Sequence, residues 1–273
     1  MPELPEVETL CRDMRNWDIF NNPIQSVQVA WNRTVLPNSV EEFCQKVTSK
    51  SIVLIDRKGK YLDITLDDGM HILAHLRMTG SFRFSASLYN PGPYDRVIFT
   101  FEKGTLVFSD PRKFGRIQVV DDPQSILIKL GYDPFDPHLD EEKFYELLNN
   151  HRKRIKTLLL DQTIIAGLGN IYTDESLFNA FIHPLKQSSS LSRSETNLLL
   201  KTIRSCLVQA IGNRGTSLGD GIGNFRSNGH AGTNAGQLNV YQRTGKPCIR
   251  CGTLIERIVV GQRSTHYCPN CQR

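Results

Sequence analysis

The stretch Tyr61-Leu62-Asp63-Ile64-Thr65-Leu66-Asp67-Asp68-Gly69-Met70-His71-Ile72-Leu73-Ala74-His75-Leu76 decides how the amino-terminal half folds. Leu62, Ile64 and Leu66 alternate with Tyr61, Asp63 and Thr65, so one face of an extended segment is apolar. Asp67-Asp68-Gly69 then reads as a hairpin turn, because glycine accepts the left-handed backbone such turns need. Met70–Leu76 returns as the second strand. Outward along the chain the pattern repeats. Val97, Phe99 and Phe101 alternate, Lys103-Gly104 turns, and Leu106 and Phe108 continue. Short strands with regular turns from Ile24 to about Val120 predict an antiparallel sandwich or barrel.

Beyond that region the composition changes. Asp-Pro pairs at 122–123, 133–134 and 136–137 mark a linker near 121–138, and helical spacing follows. Asp140 is a cap for a helix with Phe144, Leu147 and Leu148. Ile155, Leu158, Leu159 and Leu160 continue on another. Ser192-Arg193-Ser194-Glu195 is a capping box ahead of Leu198, Leu199, Ile203, Leu207 and Ile211. Residues 212–236 hold eight glycines without a sustained period. A functional loop and a linker both fit that composition.

The 273 residues suit one large domain or two modest ones, and 39% apolar with 22% charged residues describes a globular chain. No apolar run reaches the ~20 residues that span a bilayer. The acidic amino terminus lacks a secretory apolar core, so the expected location is cytoplasmic, at the nucleoid. Net charge is +5, a mild sign of a polyanionic partner. The positive charge lies late in the chain, in His151-Arg152-Lys153-Arg154-Ile155-Lys156 and in residues 243–273, where six basic residues face one acid.

Seven cysteines, an odd number, argue against a disulfide framework. Cys11, Cys44 and Cys206 fall in helical patterns as small core residues. The other four form Cys248-x2-Cys251-x16-Cys268-x2-Cys271. Each Cys-x2-Cys turn puts two thiolates on one side of a knuckle, and two knuckles make a closed tetrahedral zinc site. Four thiolates with Zn²⁺ add −2, so the ribbon stays positive. Arg257 and Arg263 on its strands fit a nucleic-acid contact, and a ribbon solvated by its own charges is the alternative. Gly167-Leu168-Gly169-Asn170-Ile171-Tyr172 has a similar double reading. It is a tight turn with Asn170 as helix cap, or a helix start whose N–H groups hold phosphate.

The first residues are Met1-Pro2-Glu3-Leu4-Pro5-Glu6. Pro5 fits the first turn of a helix, Glu3, Glu6 and Glu8 suit its positive end, and Val7, Leu10, Cys11 and Met14 follow at helical spacing. Methionine before proline is also the context in which the initiator is removed. That would leave Pro2 with a secondary amine, partly unprotonated near neutral pH. Such an amine attacks a carbonyl-like carbon to form a Schiff base, and Glu3 beside it can move protons.

Pro-Glu-Leu-Pro-Glu at the start, Lys58-Gly59-Lys60-Tyr61, His75-Leu76-Arg77-Met78-Thr79-Gly80, Asp110-Pro111-Arg112-Lys113-Phe114-Gly115, Gly167–Tyr172 and the Cys₄ ribbon occur in that order. Together they resemble the bacterial formamidopyrimidine-DNA glycosylase (Fpg/Nei) family, from Pro2 to the last cysteine pair. The resemblance implies a multidomain α+β protein in three segments. These are a β-sandwich with an N-terminal helix over 1–130, a helix–two-turn–helix segment with a lesion-recognition loop over 131–240, and a zinc ribbon over 241–273. It implies a monomer that removes oxidised purines, 8-oxoguanine and formamidopyrimidines, from duplex DNA, then cuts the strand at the abasic site. The cofactor is one structural zinc on Cys248, Cys251, Cys268 and Cys271.

On that resemblance Pro2 is the nucleophile, Glu3 the acid and Glu6 an organising carboxylate. Lys60 is assigned to β-elimination and phosphate contact, and Arg263 to lesion phosphates and δ-elimination. Met78, Arg112 and Phe114 fill the space left by an extruded nucleotide, with Arg112 on the orphaned base. Tyr94, Arg112, Lys156 and Asn170 contact DNA, and residues 216–237 correspond to the lesion loop. The chain departs from the pattern at Tyr94-Asp95-Arg96, where the family often has His-Asp-His, and at His151, which replaces a lysine. Phe225 and Arg226 are further departures. An endonuclease VIII-like enzyme for oxidised pyrimidines is a close rival. A non-catalytic DNA-binding protein is another, and it predicts loss of Pro2, Glu3 or Lys60, all of which are present.

Overall fold

The computed structural model describes residues 1–219, 221 and 224–273. Asp220, Ile222 and Gly223, part of the expected lesion loop, lie outside the described residues. The chain forms two compact units. One holds Met1–Ile128 with Asn213–Ala235, the other Lys129–Gly212 with Gly236–Arg273.

The first unit begins with helix α1 (Leu4–Met14), followed by β1 (Ser26–Val29) and α2 (Val40–Val47). Strands β2 (Ile52–Lys58), β3 (Tyr61–Leu66), β4 (His71–His75), β5 (Ser81–Ser85), β6 (Asp95–Phe101), β7 (Gly104–Ser109) and β8 (Arg116–Val120) follow, then the short α3 (Gln124–Leu127). They make two four-stranded antiparallel sheets, ordered β2-β3-β4-β8 and β1-β6-β7-β5. The β3–β4 hairpin turns where expected, with Gly69 at φ +85° and its N–H donating to the Leu66 carbonyl. Leu62, Ile64 and Leu66 of one sheet and Val97, Phe99, Leu106 and Phe108 of the other share one core with Val7, Leu10, Cys11 and Met14 of α1. Each large apolar side chain fully buried there contributes about 1.5–3 kcal/mol. The period of two in the strands and of 3.6 in α1 thus both point inward.

The second unit contains α4 (Glu141–Asn149), α5 (Ile155–Leu159), α6 (Asn170–Asn179) and α7 (Arg193–Gly212). Asp140 caps α4 through the Lys143 N–H at 2.7 Å. At α7 both arms of the capping box form, between the Glu195 N–H and Ser192 Oγ and between the Ser192 N–H and Glu195 Oε2. The chain ends in a two-stranded ribbon. These units divide the chain differently from the three sequence segments. Residues 213–235, including the small hairpin β9 (Arg226–Ser227) and β10 (His230–Ala231), pack with the first unit, and the ribbon packs with the helices. Among the described residues no helix is long and apolar enough to cross a membrane.

Candidate active site

Helix α1 starts directly after Glu3. The Glu3 N–H donates to Glu6 Oε2 at 2.7 Å, satisfying one of the donors a helix start leaves open. Glu6 Oε1 accepts the Thr216 N–H, also at 2.7 Å. One carboxylate therefore fixes the helix entry and the returning segment together. Glycine is required beside it. Gly215 sits at φ +81°, and a Cβ there would lie 2.9 Å from both Glu6 Cγ and Oε1. A second tie is Asp13, which accepts two bonds from the Arg214 guanidinium and one from Ser227 Oγ. Pro2, Glu3 and Glu6 are all buried at this end of α1.

Lys60 lies in the two-residue turn joining β2 to β3, where Lys58 pairs with Tyr61 and Gly59 takes φ +55°. It is buried. Arg57 ties this turn to α1. Its Nε donates to Glu8 Oε2 at 3.0 Å, and its Nη1 donates to the Gly59 carbonyl at 3.1 Å. Burial pushes the Glu8 carboxyl up, yet Arg12 and Arg57 together hold it below the usual range. His75 packs edge-on against Tyr61 at 4.7 Å. Burial, then the charges of Arg77 and Lys60, push this imidazole down to about 3, so it is neutral around pH 7.

Met78 and the Arg112–Phe114 pair come from two turns that share Asp110. Thr79 Oγ1 donates to Asp110 Oδ1, as does the Arg112 N–H, and the Gly115 N–H donates to Asp110 Oδ2. Gly80 and Gly115 both close on the Phe108 ring, where a Cβ would lie 2.8 and 2.5 Å from it. The Phe114 side of this pair is open to solvent, and the Arg112 guanidinium stacks over its ring at 5.1 Å. Tyr94 is exposed nearby in sequence, its carbonyl accepting the Asp110 N–H.

In the second unit Gln162 holds the turn before α6. Its Oε1 accepts from the Gly167 N–H and its Nε2 donates to the Leu160 and Leu168 carbonyls. Asn170 is not the cap of α6; Gly169 is, and Asn170 is the first helical residue. Its amide instead donates to the Ser264 carbonyl at 2.8 Å. Lys156 also departs from expectation. It is fully buried, with Nζ 2.6 Å from Asp174 Oδ1 and 3.0 Å from the Ser264 carbonyl. Asp174 Oδ2 accepts the His266 N–H at 2.9 Å. A lysine so enclosed supports the ribbon strand next to Arg263 and does not present its ammonium to a surface phosphate. Asp174 carries no periodic signal in the sequence, because α6 is rich in polar residues; yet Ile171–Phe178 are all buried, so the adjacent acids of this helix must pair internally. Its neighbour Glu175 does so through the Asn239, Val240 and Tyr241 N–H groups, and burial pushes its pKa up.

Arg263 is exposed at the start of β12 (Arg263–Tyr267), paired with Val260 of β11 (Glu256–Val260). Gly261 and Gln262 between them take φ +53° and +63°, the signature of a type I′ turn. Asn170, Lys156 and Arg263 are thus brought together through Ser264. Arg250 has a structural task, donating to the Phe178 carbonyl and stacking between Phe178 and Phe181. The four cysteine sulfurs of the knuckles lie within 4.8 Å of one another. Two of their separations are 3.5 Å (Cys251–Cys268) and 3.9 Å (Cys248–Cys271). A tetrahedron with Zn–S near 2.3 Å needs about 3.8 Å between sulfurs, so the set fits one structural zinc.

Comparison with known proteins agrees along the whole chain. Residues 1–117 match the formamidopyrimidine-DNA glycosylase N-terminal domain, 130–220 its H2TH domain, and 245–273 the zinc finger found in FPG and IleRS. The formamidopyrimidine-DNA glycosylase of Protochlamydia amoebophila is 42% identical over 275 residues, covering 100% of both chains. That of Ligilactobacillus salivarius is 42% identical over 277 residues, covering 100% of this chain and 99% of its own. Among solved structures, a Lactococcus lactis FPG mutant in complex with Fapy-dG containing DNA matches with a TM-score of 0.92 at 37% identity over 100% of both chains. MutM in complex with carbocyclic 8-oxo-G containing DNA matches with 0.91, also at 37% over 100% of both. The chain belongs to the formamidopyrimidine-DNA glycosylase family.

Proposed function

We propose that this protein is a DNA glycosylase of base excision repair with an associated abasic-site lyase activity, acting on oxidised purines in duplex DNA. The observation that carries the reading is the buried start of α1, where Glu6 holds the Glu3 N–H and leaves Pro2 and Glu3 at the tip of a helix fixed to the sheet. With Met1 removed, the Pro2 amine attacks C1′ of the damaged nucleotide. The C1′–N bond breaks, its electron pair leaves with the base, and the base takes up the proton that the Pro2 nitrogen sheds. Glu3 protonates O4′ as the sugar ring opens to the Schiff base. The iminium acidifies the C2′ hydrogen, and loss of that proton expels the 3′-phosphate. Lys60 assists this β-elimination, and a second elimination, assisted by Arg263, releases the 5′-phosphate.

Extruding the base costs a few kcal/mol of stacking, and Met78, Arg112 and Phe114 fill the space it leaves. Asn170, Tyr94 and Arg263 position phosphates and read no sequence. A zinc held by Cys248, Cys251, Cys268 and Cys271 would keep the ribbon folded and stay out of the chemistry, since four protein thiolates would fill its coordination. Functionally the chain divides into catalytic sandwich, helical module and ribbon. The test is strand cleavage of duplexes with one 8-oxoguanine or one oxidised pyrimidine. The reading predicts faster cleavage at 8-oxoguanine, with phosphate at both new ends. Faster cleavage at the pyrimidine would favour the endonuclease VIII-like alternative, and no cleavage of either would remove the enzymatic reading.

A further inference from the structure

Asp110 is fully buried, and its polar groups reach three separate segments. Oδ1 accepts from Thr79 Oγ1 and from the Arg112 N–H at 3.1 Å, and Oδ2 accepts the Gly115 N–H at 2.6 Å. Its carbonyl accepts from Arg96 Nε at 2.8 Å and from the Lys113 N–H at 3.3 Å, and its N–H donates to the Tyr94 carbonyl at 2.8 Å. Arg96, itself buried, also donates from Nη1 to the Pro93 carbonyl at 3.2 Å. The backbone around this hub is held in costly conformations. Arg77 and Lys113 take φ +55° and +60°, each in the turn that carries a candidate gap-filling residue. A buried carboxylate whose oxygens accept from both turns makes those turns one rigid body.

We infer that Asp110 is a positioning residue that couples Met78 to Arg112 and Phe114, with Arg96 as its brace, so that the three side chains enter DNA as a unit. The inference rests on the gap-filling reading of those three residues. Asn at 110 keeps the shape but replaces one acceptor oxygen with a donor. It can serve Thr79 and Arg112, or Gly115, but not both sets, and an N–H₂ then faces an N–H. Thr79→Val removes both Thr79 Oγ1 contacts to the other turn, the bond donated to Asp110 Oδ1 and the one accepted from the Arg112 N–H at 3.3 Å, and leaves the Asp110–Gly115 bond intact.

The direct readout is the fluorescence of 2-aminopurine placed opposite an abasic-site analogue, which reports displacement of the facing base. Met78→Ala and Phe114→Ala, each as a single variant, test the underlying reading. If M78A and F114A both leave the signal unchanged, these side chains do not enter the helix. Given a signal that depends on them, the coupling is tested by a double-mutant cycle. In the wild-type background M78A and F114A should be non-additive by at least about fivefold in DNA affinity, as expected for residues in one network. In the T79V background, and in D110N, the two effects should become multiplicative within about twofold. R96M should weaken the coupling, and R96K should restore it in part. Melting temperatures identify any variant that fails to fold, and T79V, the least disruptive, then carries the test. Coupling that persists in folded T79V and R96M overturns the inference while the gap-filling reading stands.

Discussion

Replacing Lys156 with methionine separates two tasks a basic residue in this segment can have. The ammonium is fully buried, 2.6 Å from an equally buried Asp174 carboxylate, and also donates to the Ser264 carbonyl. Removing one member of a buried pair leaves the other charge uncompensated, at a cost of about 3–5 kcal/mol. For a unit of this size each kcal/mol lowers Tm by roughly 3–5 °C, so K156M should melt about 9–25 °C lower. Methionine has nearly the length of lysine, so little of that loss comes from packing. The double variant Lys156→Met, Asp174→Leu should recover much of the stability, because an apolar pair of similar volume often replaces a buried ion pair at little cost. Calorimetry measures the stability, and fluorescence anisotropy at several salt concentrations measures DNA binding. A surface lysine on phosphate would behave differently, changing the slope of log affinity against log salt by about 0.9 with little effect on Tm. An unchanged Tm with that reduced slope would refute the buried-pair account.

Other perturbations probe the rest of the site. Gly215→Ala should cost about 1–2 kcal/mol for its left-handed backbone plus about 1.5–3 kcal/mol for displacing Glu6 from a charged hydrogen bond. Gly69→Ala, at φ +85° with open space around it, is the control that shows the backbone cost alone; equal melting temperatures for the two variants would discount the Glu6 contact. His75 has a folded-state pKa of about 3, below the ordinary 6.5, so the unfolded chain binds more protons between those values. Its contribution is therefore fully present above pH 6.5 and is lost as pH falls through that window, reaching at most about 2 kcal/mol at pH 5. H75Q should flatten melting temperature against pH between 4 and 6.5, and an unaltered slope would count against the neutral imidazole. Stripping zinc, or Cys268→Ser, should weaken DNA binding by loosening Arg263; full affinity in metal-free protein would separate the ribbon from DNA contact.

The parts of this molecule that were legible in sequence are those whose causes are local. The β3–β4 hairpin follows from alternation plus Asp-Asp-Gly, and the capping box at Ser192 needs only residues three apart. The four cysteines announce their cluster by spacing. What stayed hidden depends on partners far along the chain. Lys156 looked like part of a surface basic run, yet its burial depends on Asp174, 18 residues on, and on Ser264, 108 residues on. Asn170 looked like a cap because a polar residue follows two glycines, but its amide is claimed by the same distant carbonyl. The 212–236 segment shows no periodicity, and its described residues are held by polar anchors, one of them the Glu6–Thr216 bond that spans 210 residues. Pattern reading finds faces and turns, whereas single long-range hydrogen bonds leave no period behind.

The central claim concerns one amine, and borohydride tests it most directly. Protein with Met1 removed is incubated with 8-oxoguanine duplex and sodium borohydride, and the covalent adduct is digested and its peptides are mapped by mass spectrometry. The account predicts an adduct through the Pro2 nitrogen in wild type, a strongly reduced yield in Pro2→Gly, and none in protein that retains Met1. An adduct mapped to Lys60 or another lysine, or equal trapping by protein that retains Met1, would contradict it.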